Sequence, residues 1–144
     1  MLTLAAPFVA WDHLPTGSGW ATFGSAFSAE PYSPVYGMYR MAGIWGISPN
    51  YSAFVSDTYW PMVLAETGFI GFGGLILALV MFVKKVCRVK HAPALASGLM
   101  VLAYLLISST SESALANPVA VPLAFWMGVL LAEQHNSSER GTAA

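Results

Sequence analysis

Charged residues are scarce in this sequence. Only 9% of the 144 residues are Asp, Glu, Lys or Arg, whereas 56% are hydrophobic. Soluble domains carry about 25% charged residues, so the composition excludes an ordinary soluble domain and indicates an integral membrane protein. The formal net charge of -1 gives no reason to expect a nucleic-acid partner, and we predict none.

Cysteine is nearly absent as well. Cys87 is the only one in the chain, so an internal disulfide is impossible and no cysteine-based metal cluster is suggested. A dinucleotide-binding motif is also missing, because no strand or phosphate-loop spacing precedes the glycines. The sequence therefore carries no signature of a metal or dinucleotide cofactor.

The sequence does contain long apolar runs. The first covers about residues 61–83, and its 23 residues would extend about 34 Å as a helix, enough to cross a hydrocarbon core of about 30 Å. The second and third, at about 92–108 and 114–132, are shorter and carry a proline near their starts. We predict an all-α integral membrane protein with three transmembrane helices in residues 61–132.

Residues 1–60 have a different composition, rich in Gly, Pro, Ser, Tyr and Trp, which favours turns over long helices. Their first stretch, MLTLAAPFVAW, is apolar but too short to span a membrane, and it lacks the basic flank of a secretory signal. We therefore predict an irregular, partly helical segment before the first span. Its aromatic side chains suit the membrane surface, and they suit stacking on sugar rings equally well.

The basic residues indicate how the chain is oriented. Four of the six lie in the connector KKVCRVKH between the first and second predicted spans. Short loops rich in Lys and Arg are retained in the cytoplasm. Residues 1–60 and the connector SSTSESALAN are then expected on the opposite side of the membrane, and the tail, residues 133–144, returns to the cytoplasm.

Four motifs follow one another along the chain: LPTGSGWATFGSAFS (14–28), YSPVYGMYRMAGIWGIS (32–48), SDTYWPMVLAETGFIG (56–71) and SSTSESALANP (108–118). In this order they resemble the C-terminal part of the O-antigen ligase and polysaccharide polymerase family, which are bacterial inner-membrane proteins. The resemblance covers about residues 5–131. Members of the family have around ten or more spans and one large periplasmic loop, so this chain is expected to be a truncated C-terminal fragment.

The resemblance implies a glycosyltransferase that moves or polymerises an undecaprenyl-pyrophosphate-linked oligosaccharide. The acceptor would be a glycan or a lipid, and no metal or other cofactor would be needed. It also implies a multi-pass protein of the inner (cytoplasmic) membrane, in contact with membrane lipid and with other membrane helices. Residues 1–60 would then be periplasmic.

Two departures from the family pattern bear on catalysis. Ser56-Asp57 stands where the family commonly has a His-Asn pair, and the family's upstream arginine-containing segment is not in this chain. We therefore make no claim that the chain alone is an enzyme. The alternative is a non-catalytic membrane remnant, or an accessory subunit that binds glycan or partner helices.

Two residues are predicted to be catalytic. Transfer from a lipid pyrophosphate requires a cation, and Arg40 is the only Arg or Lys in the first 83 residues; arginine binds phosphate oxygens through two parallel bonds. Its alternative role is that of an interfacial arginine whose charge reaches water. Asp57 is the candidate base or acceptor-orienting carboxylate, and its alternative role is to cap the helix that begins there.

Aromatic residues are predicted to bind substrate. Trp20 follows the family's glycine motif, which matches Pro15, Gly17 and Gly19 in this sequence. Tyr32 and Tyr36, in the second motif, are expected to stack on sugar rings with it.

Two acids complete the predicted substrate-binding set. Glu66 lies in the first predicted span, where an ionisable residue faces protein or water rather than lipid. It either lines a substrate cavity or bonds to a neighbouring helix, and on a continuous helix it would face away from Asp57. Glu112, in the connector on the same side of the membrane, either contacts substrate or caps a helix end. The glycines after Glu66 are expected to allow close helix packing.

Overall fold

The computed structural model describes residues 1–56, 58–89, 92–111, 115, 118 and 120–129. Its helices are α1 (Leu2–Asp12), α2 (Ala26–Ala29), α3 (Pro34–Met38), α4 (Tyr59–Cys87), α5 (Ala92–Ser108) and α6 (Ala120–Val129). The described residues contain no β-strand, only an isolated bridge between Ser48 and Tyr51. The predicted all-α class is confirmed.

Helix α4 is sharply bent at Gly68. The backbone of Gly68 has φ 66° and ψ -171°, which is not helical. The rings of Trp60 and Phe72 are 6.2 Å apart, although twelve residues of straight helix advance about 18 Å. The first part of α4, residues 59–67, therefore folds back towards the second part, residues 69–87.

Helix α4 is long and apolar enough to cross a membrane, and only 6% of its most apolar 18-residue stretch is buried inside the protein. A helix at the centre of a soluble domain would be largely buried, so this surface needs lipid or other helices to cover it. The straight part, residues 69–87, would extend about 28 Å at 1.5 Å per residue. This length is close to the hydrocarbon thickness of about 30 Å.

The three predicted spans are not supported by the described residues. Helix α5 has 17 residues, α6 is shorter still, and a span requires about 20. Helix α5 ends where the predicted run ends, and hydroxyl groups bind its last carbonyls: Ser109 Oγ donates to Leu106 O at 2.7 Å, and Thr110 Oγ1 donates to Ile107 O at 2.7 Å. Such local bonds compete with continuation of a helix.

Helices α4 and α5 form an antiparallel pair. At one end, Gly98 of α5 lies against Val86 of α4 and Met127 of α6. At the other end, Trp60 Nε1 donates a hydrogen bond to Ser109 Oγ at 3.0 Å. The chain after α5 thus returns to the end at which α4 begins.

Residues 1–56 and 59–67 pack together, and we call this unit the N-terminal module. Its core lies between α1, the loops and the first part of α4, and it contains Leu2, Ala6, Val9, Phe23, Val35, Tyr36, Met41, Ile47, Val55 and Ala65. The predicted irregular, partly helical segment thus has a core of its own. That core includes the first part of α4, which composition alone assigned to the membrane.

Replacement of Gly68 by Ala should destabilise the protein by about 2–5 kcal/mol. A Cβ there would lie 2.6 Å from the Gly17 nitrogen and 2.7 Å from the Pro15 oxygen. Left-handed strain costs about 1–2 kcal/mol and forced overpacking about 1–3 kcal/mol. Thermal unfolding in detergent measures the effect. Gly73→Ala is the matched control, because no atom lies within 4 Å of its added carbon; equal melting temperatures for the two variants would contradict the bend.

Candidate functional site

The first motif binds the bend of the third. The break at Gly68 removes the helical partners of the last carbonyls before it. Ser18 N–H donates to Ala65 O at 2.9 Å, and Gly19 N–H donates to Glu66 O at 3.1 Å. Ser18 Oγ adds a bond to Ala65 O at 3.2 Å. The loop PTGSG therefore supplies from outside the hydrogen bonds that the helix lost.

Two glycines make this contact possible. Gly17 and Gly68 have φ values of 77° and 66°, which side chains rarely adopt. A Cβ on Gly17 would lie 2.6 Å from Ala65 O, and this obstacle is backbone that cannot turn aside. Both Gly17 and Gly68 are therefore required for this contact. Gly68 was predicted to pack against another helix, and it packs instead against the loop.

Glu66 is buried, with 4% of its surface exposed, and it ties α2 to α4. Its Oε1 accepts a hydrogen bond from Phe23 N–H at 3.0 Å and one from Ser25 Oγ at 3.3 Å. Ser25 is also the N-cap of α2. The sequence left two roles open for Glu66, in a substrate cavity or in a bond to a neighbouring helix. The observed geometry is that of a structural bond, and the partners of Glu66 are a loop and a short helix rather than a transmembrane helix.

Tyr36 lies inside the core and has no exposed surface. Its hydroxyl accepts from Gly24 N–H at 2.8 Å and shares a hydrogen bond with Ser28 Oγ at 2.7 Å. Its ring stacks on Phe23 with centroids 5.8 Å apart, and burial raises the pKa of its phenol. No face of Tyr36 is left for a sugar in this structure, so we withdraw it from the stacking set.

The other two aromatic candidates differ from each other. The Tyr32 hydroxyl donates to Ile47 O at 2.8 Å, and the partly buried ring packs against Tyr36 with centroids 5.1 Å apart. Trp20 directly follows the loop that binds the bend, and 83% of its surface is exposed. Trp20 is thus the most accessible of the predicted stacking residues.

Arg40 is exposed and lies on a tight turn after α3, with φ 56°. Among the residues that the structure describes, its side chain makes no ion pair. Arg40 is not brought into contact with Glu66. Asp57 and Glu112 lie outside the described residues, so their predicted roles stay predictions; the adjoining Thr58 occupies the N-cap of α4 without a side-chain capping bond.

Sequence reasoning missed two groups of residues. Ser18, Phe23 and Ser25 were not recognised as partners of the bent helix, and the Trp60–Ser109 bond was not foreseen. The signal for the first group is the spacing of glycines in PTGSG and ETGFIG, since paired glycines mark places where backbones meet. No signal in the sequence pairs Trp60 with Ser109, which are 49 residues apart.

No group of three His, Cys, Asp or Glu residues that could hold a metal ion occurs within the described part of the chain. Compared with known proteins, the chain matches no family model, no curated protein and no solved structure. The family resemblance drawn from the motifs therefore enters below as a proposal.

Replacement of Glu66 by Ala should cost about 1–3 kcal/mol, because it leaves the buried Phe23 N–H without an acceptor. Glu66→Gln keeps a side-chain oxygen in place and should cost less. Thermal unfolding and exchange of the Phe23 amide proton measure both effects. Glu30→Ala, which removes an exposed acid of the same module, is the control; a Glu66→Ala protein as stable as this control would contradict the structural role.

Ionisation of Tyr39 should weaken the module at high pH. The Tyr39 hydroxyl donates to Asp12 Oδ2 at 2.6 Å; burial first, and then this bond, raise the pKa of Tyr39 from 10.0 to about 12. Because the folded state holds the proton more tightly, the contribution is complete below pH 10.0 and is lost as the pH rises towards about 12. A tyrosinate absorbance titration should lose a step near pH 12 in Tyr39→Phe, and superimposable curves would contradict this.

Proposed function

We propose that the chain is part of a bacterial membrane glycosyltransferase of the O-antigen ligase or polysaccharide polymerase type. The donor is an undecaprenyl-pyrophosphate-linked oligosaccharide, and an acceptor hydroxyl on a glycan or lipid displaces the lipid pyrophosphate. The reaction belongs at a membrane surface, because one end of the donor is a hydrocarbon chain and the other is a hydrophilic glycan.

One observation supports the proposal above the others. The contacts between the motifs that carry the family resemblance join residues up to 49 apart in sequence, and three of the motifs meet at the start of α4. The loop 14–19 binds the bend, Glu66 binds Phe23 and Ser25, and Trp60 binds Ser109. If these motifs build one site, their occurrence together in one chain has a structural reason.

The predicted catalytic roles are proposed on this basis. Arg40 steadies the pyrophosphate, since it is exposed and makes no ion pair within the described residues. Asp57 orients or deprotonates the acceptor hydroxyl next to the start of α4. Trp20, with its exposed ring, stacks on a sugar, and Glu112 contacts the substrate from the connector after α5.

The orientation of the chain in the membrane is part of the same proposal. Residues 1–60 lie in the periplasm, the basic connector lies in the cytoplasm, and the protein is multi-pass in the inner membrane. The straight part of α4 separates the N-terminal module from Lys84 and Lys85, so the two compartments correspond to its two ends. The second and third predicted spans, at about 92–108 and 114–132, belong to the same proposal; α5 covers the second, and the third includes residues outside the described part of the chain.

A second candidate function is a non-catalytic accessory protein that binds glycan or partner helices. The placement of Glu66 and Tyr36 favours it, because both candidates are used inside the core. In this case Trp20 would still bind glycan, but Arg40 and Asp57 could be replaced without effect on glycan assembly.

Transfer by the whole protein of which this chain is part, in lipid vesicles, separates the two candidates. The vesicles contain an undecaprenyl-pyrophosphate-linked oligosaccharide and a glycan acceptor, and release of undecaprenyl pyrophosphate is measured. Asp57→Asn should abolish release, and Arg40→Ala should reduce it about tenfold or more, because a charge-assisted bond is worth about 1.5–3 kcal/mol. Glu30→Gln and Lys84→Gln are matched controls. Glycan binding without release would favour the accessory protein, and neither binding nor release would overturn both.

A further inference from the structure

A groove of about 290 Å³ lies between α1 and the segment that follows α3. It is lined mainly by apolar side chains, namely those of Met1, Leu4, Ala5, Phe8, Tyr39, Met41 and Ile44. The Tyr39 hydroxyl donates a hydrogen bond to Asp12, and the Tyr39 ring lines the groove. Pockets for small molecules have volumes of about 300–1,000 Å³, so this groove accommodates a segment of one hydrocarbon chain rather than a whole lipid.

The groove continues into the surface that faces the membrane. Met1, Leu4, Phe8 and Trp11 are spaced three or four residues apart, so they share one face of α1. All four residues are exposed, with 67% to 74% of their surface accessible. The Trp11 ring meets Phe69 edge to face at 6.4 Å, and Phe69 begins the straight part of α4. An apolar path thus runs from the span along α1 to the groove.

The only Arg or Lys among residues 1–83 is exposed and is next in sequence to two residues that line this groove. Arg40 stands between Tyr39 and Met41, which both line it. Its backbone has φ 56°, a conformation that residues other than glycine rarely adopt. Neutral hydrocarbon would gain nothing from a cation there, whereas a lipid with a phosphate at the end of its chain would.

We propose that this groove holds the hydrocarbon chain of a phosphate-bearing lipid, with Arg40 at the phosphate. The lipid enters sideways from the bilayer along the exposed face of α1. The inference rests on the proposed function in one respect, namely that the lipid is the carrier of the donor glycan. The groove would then hold the carrier's first isoprenoid units and present the phosphates to the water side.

Photocrosslinking of the full chain tests the inference. The probe is undecaprenyl monophosphate with a diazirine in its first isoprenoid units, in phosphatidylcholine vesicles. Crosslinks should fall in residues 1–12 and 39–44. Leu4→Gln should reduce their yield, because it makes the groove wall polar. Leu14→Gln, which alters an exposed leucine of the same module that does not line the groove, should not. Both leucines are exposed, so both variants should fold.

Two further comparisons test whether Arg40 binds the phosphate of the probe. Arg40→Gln should lower the yield about tenfold, as expected for loss of a charge-assisted bond, and Arg40→Lys should restore part of it. A matched probe with undecaprenol in place of the phosphate should label weakly and should not respond to Arg40→Gln. Crosslinks spread along residues 69–87 instead, or equal labelling by the two probes, would overturn the proposal.

The probe carries no sugar, so the outcome is independent of glycan transfer. Transfer without groove labelling would overturn the inference and leave the proposed function standing. Groove labelling without transfer would overturn the proposed catalytic function and leave a lipid-binding site.

Discussion

The contact between Gly17 and Gly68 is the constraint on which the rest of the structure depends. At Gly68, α4 gives up its own hydrogen bonds, and the loop 14–19 replaces them with the N–H groups of Ser18 and Gly19. Buried carbonyl groups without partners would cost several kcal/mol. The bend and the loop therefore require each other, since neither is stable with its polar backbone unsatisfied.

The position of Glu66 follows from the same bend. In a straight helix this carboxylate would lie within the apolar run, where an ionisable group is costly. The bend places it before the membrane part, and its oxygen accepts bonds from Phe23 and Ser25. An acid in a hydrophobic run thus serves as a cross-link of the N-terminal module, and the run of apolar residues extends beyond the straight part of α4.

Composition predicted some of this structure. The scarcity of charge indicated the membrane class, and the run at 61–83 indicated α4, whose start at Tyr59 and end at Cys87 lie a few residues outside it. The bend could not be predicted, because Gly68 also suits close packing of a straight helix. The assignment of opposite faces to Asp57 and Glu66 assumed a continuous helix; the bend follows Glu66, and Asp57 lies outside the described residues.

The tyrosines show why candidate sites are harder to predict than elements. Tyr32 and Tyr36 lie four residues apart and have the same chemistry, yet Tyr36 is fully buried and Tyr32 only partly so. The difference between them comes from tertiary contacts. Gly24 and Ser28, both in the first motif, form hydrogen bonds with the Tyr36 hydroxyl. A ring that suits a sugar suits a core equally well, because both remove its faces from water. Which of the three predicted stacking residues is accessible therefore had to be found in the fold, and it is Trp20, which directly follows the loop that binds the bend.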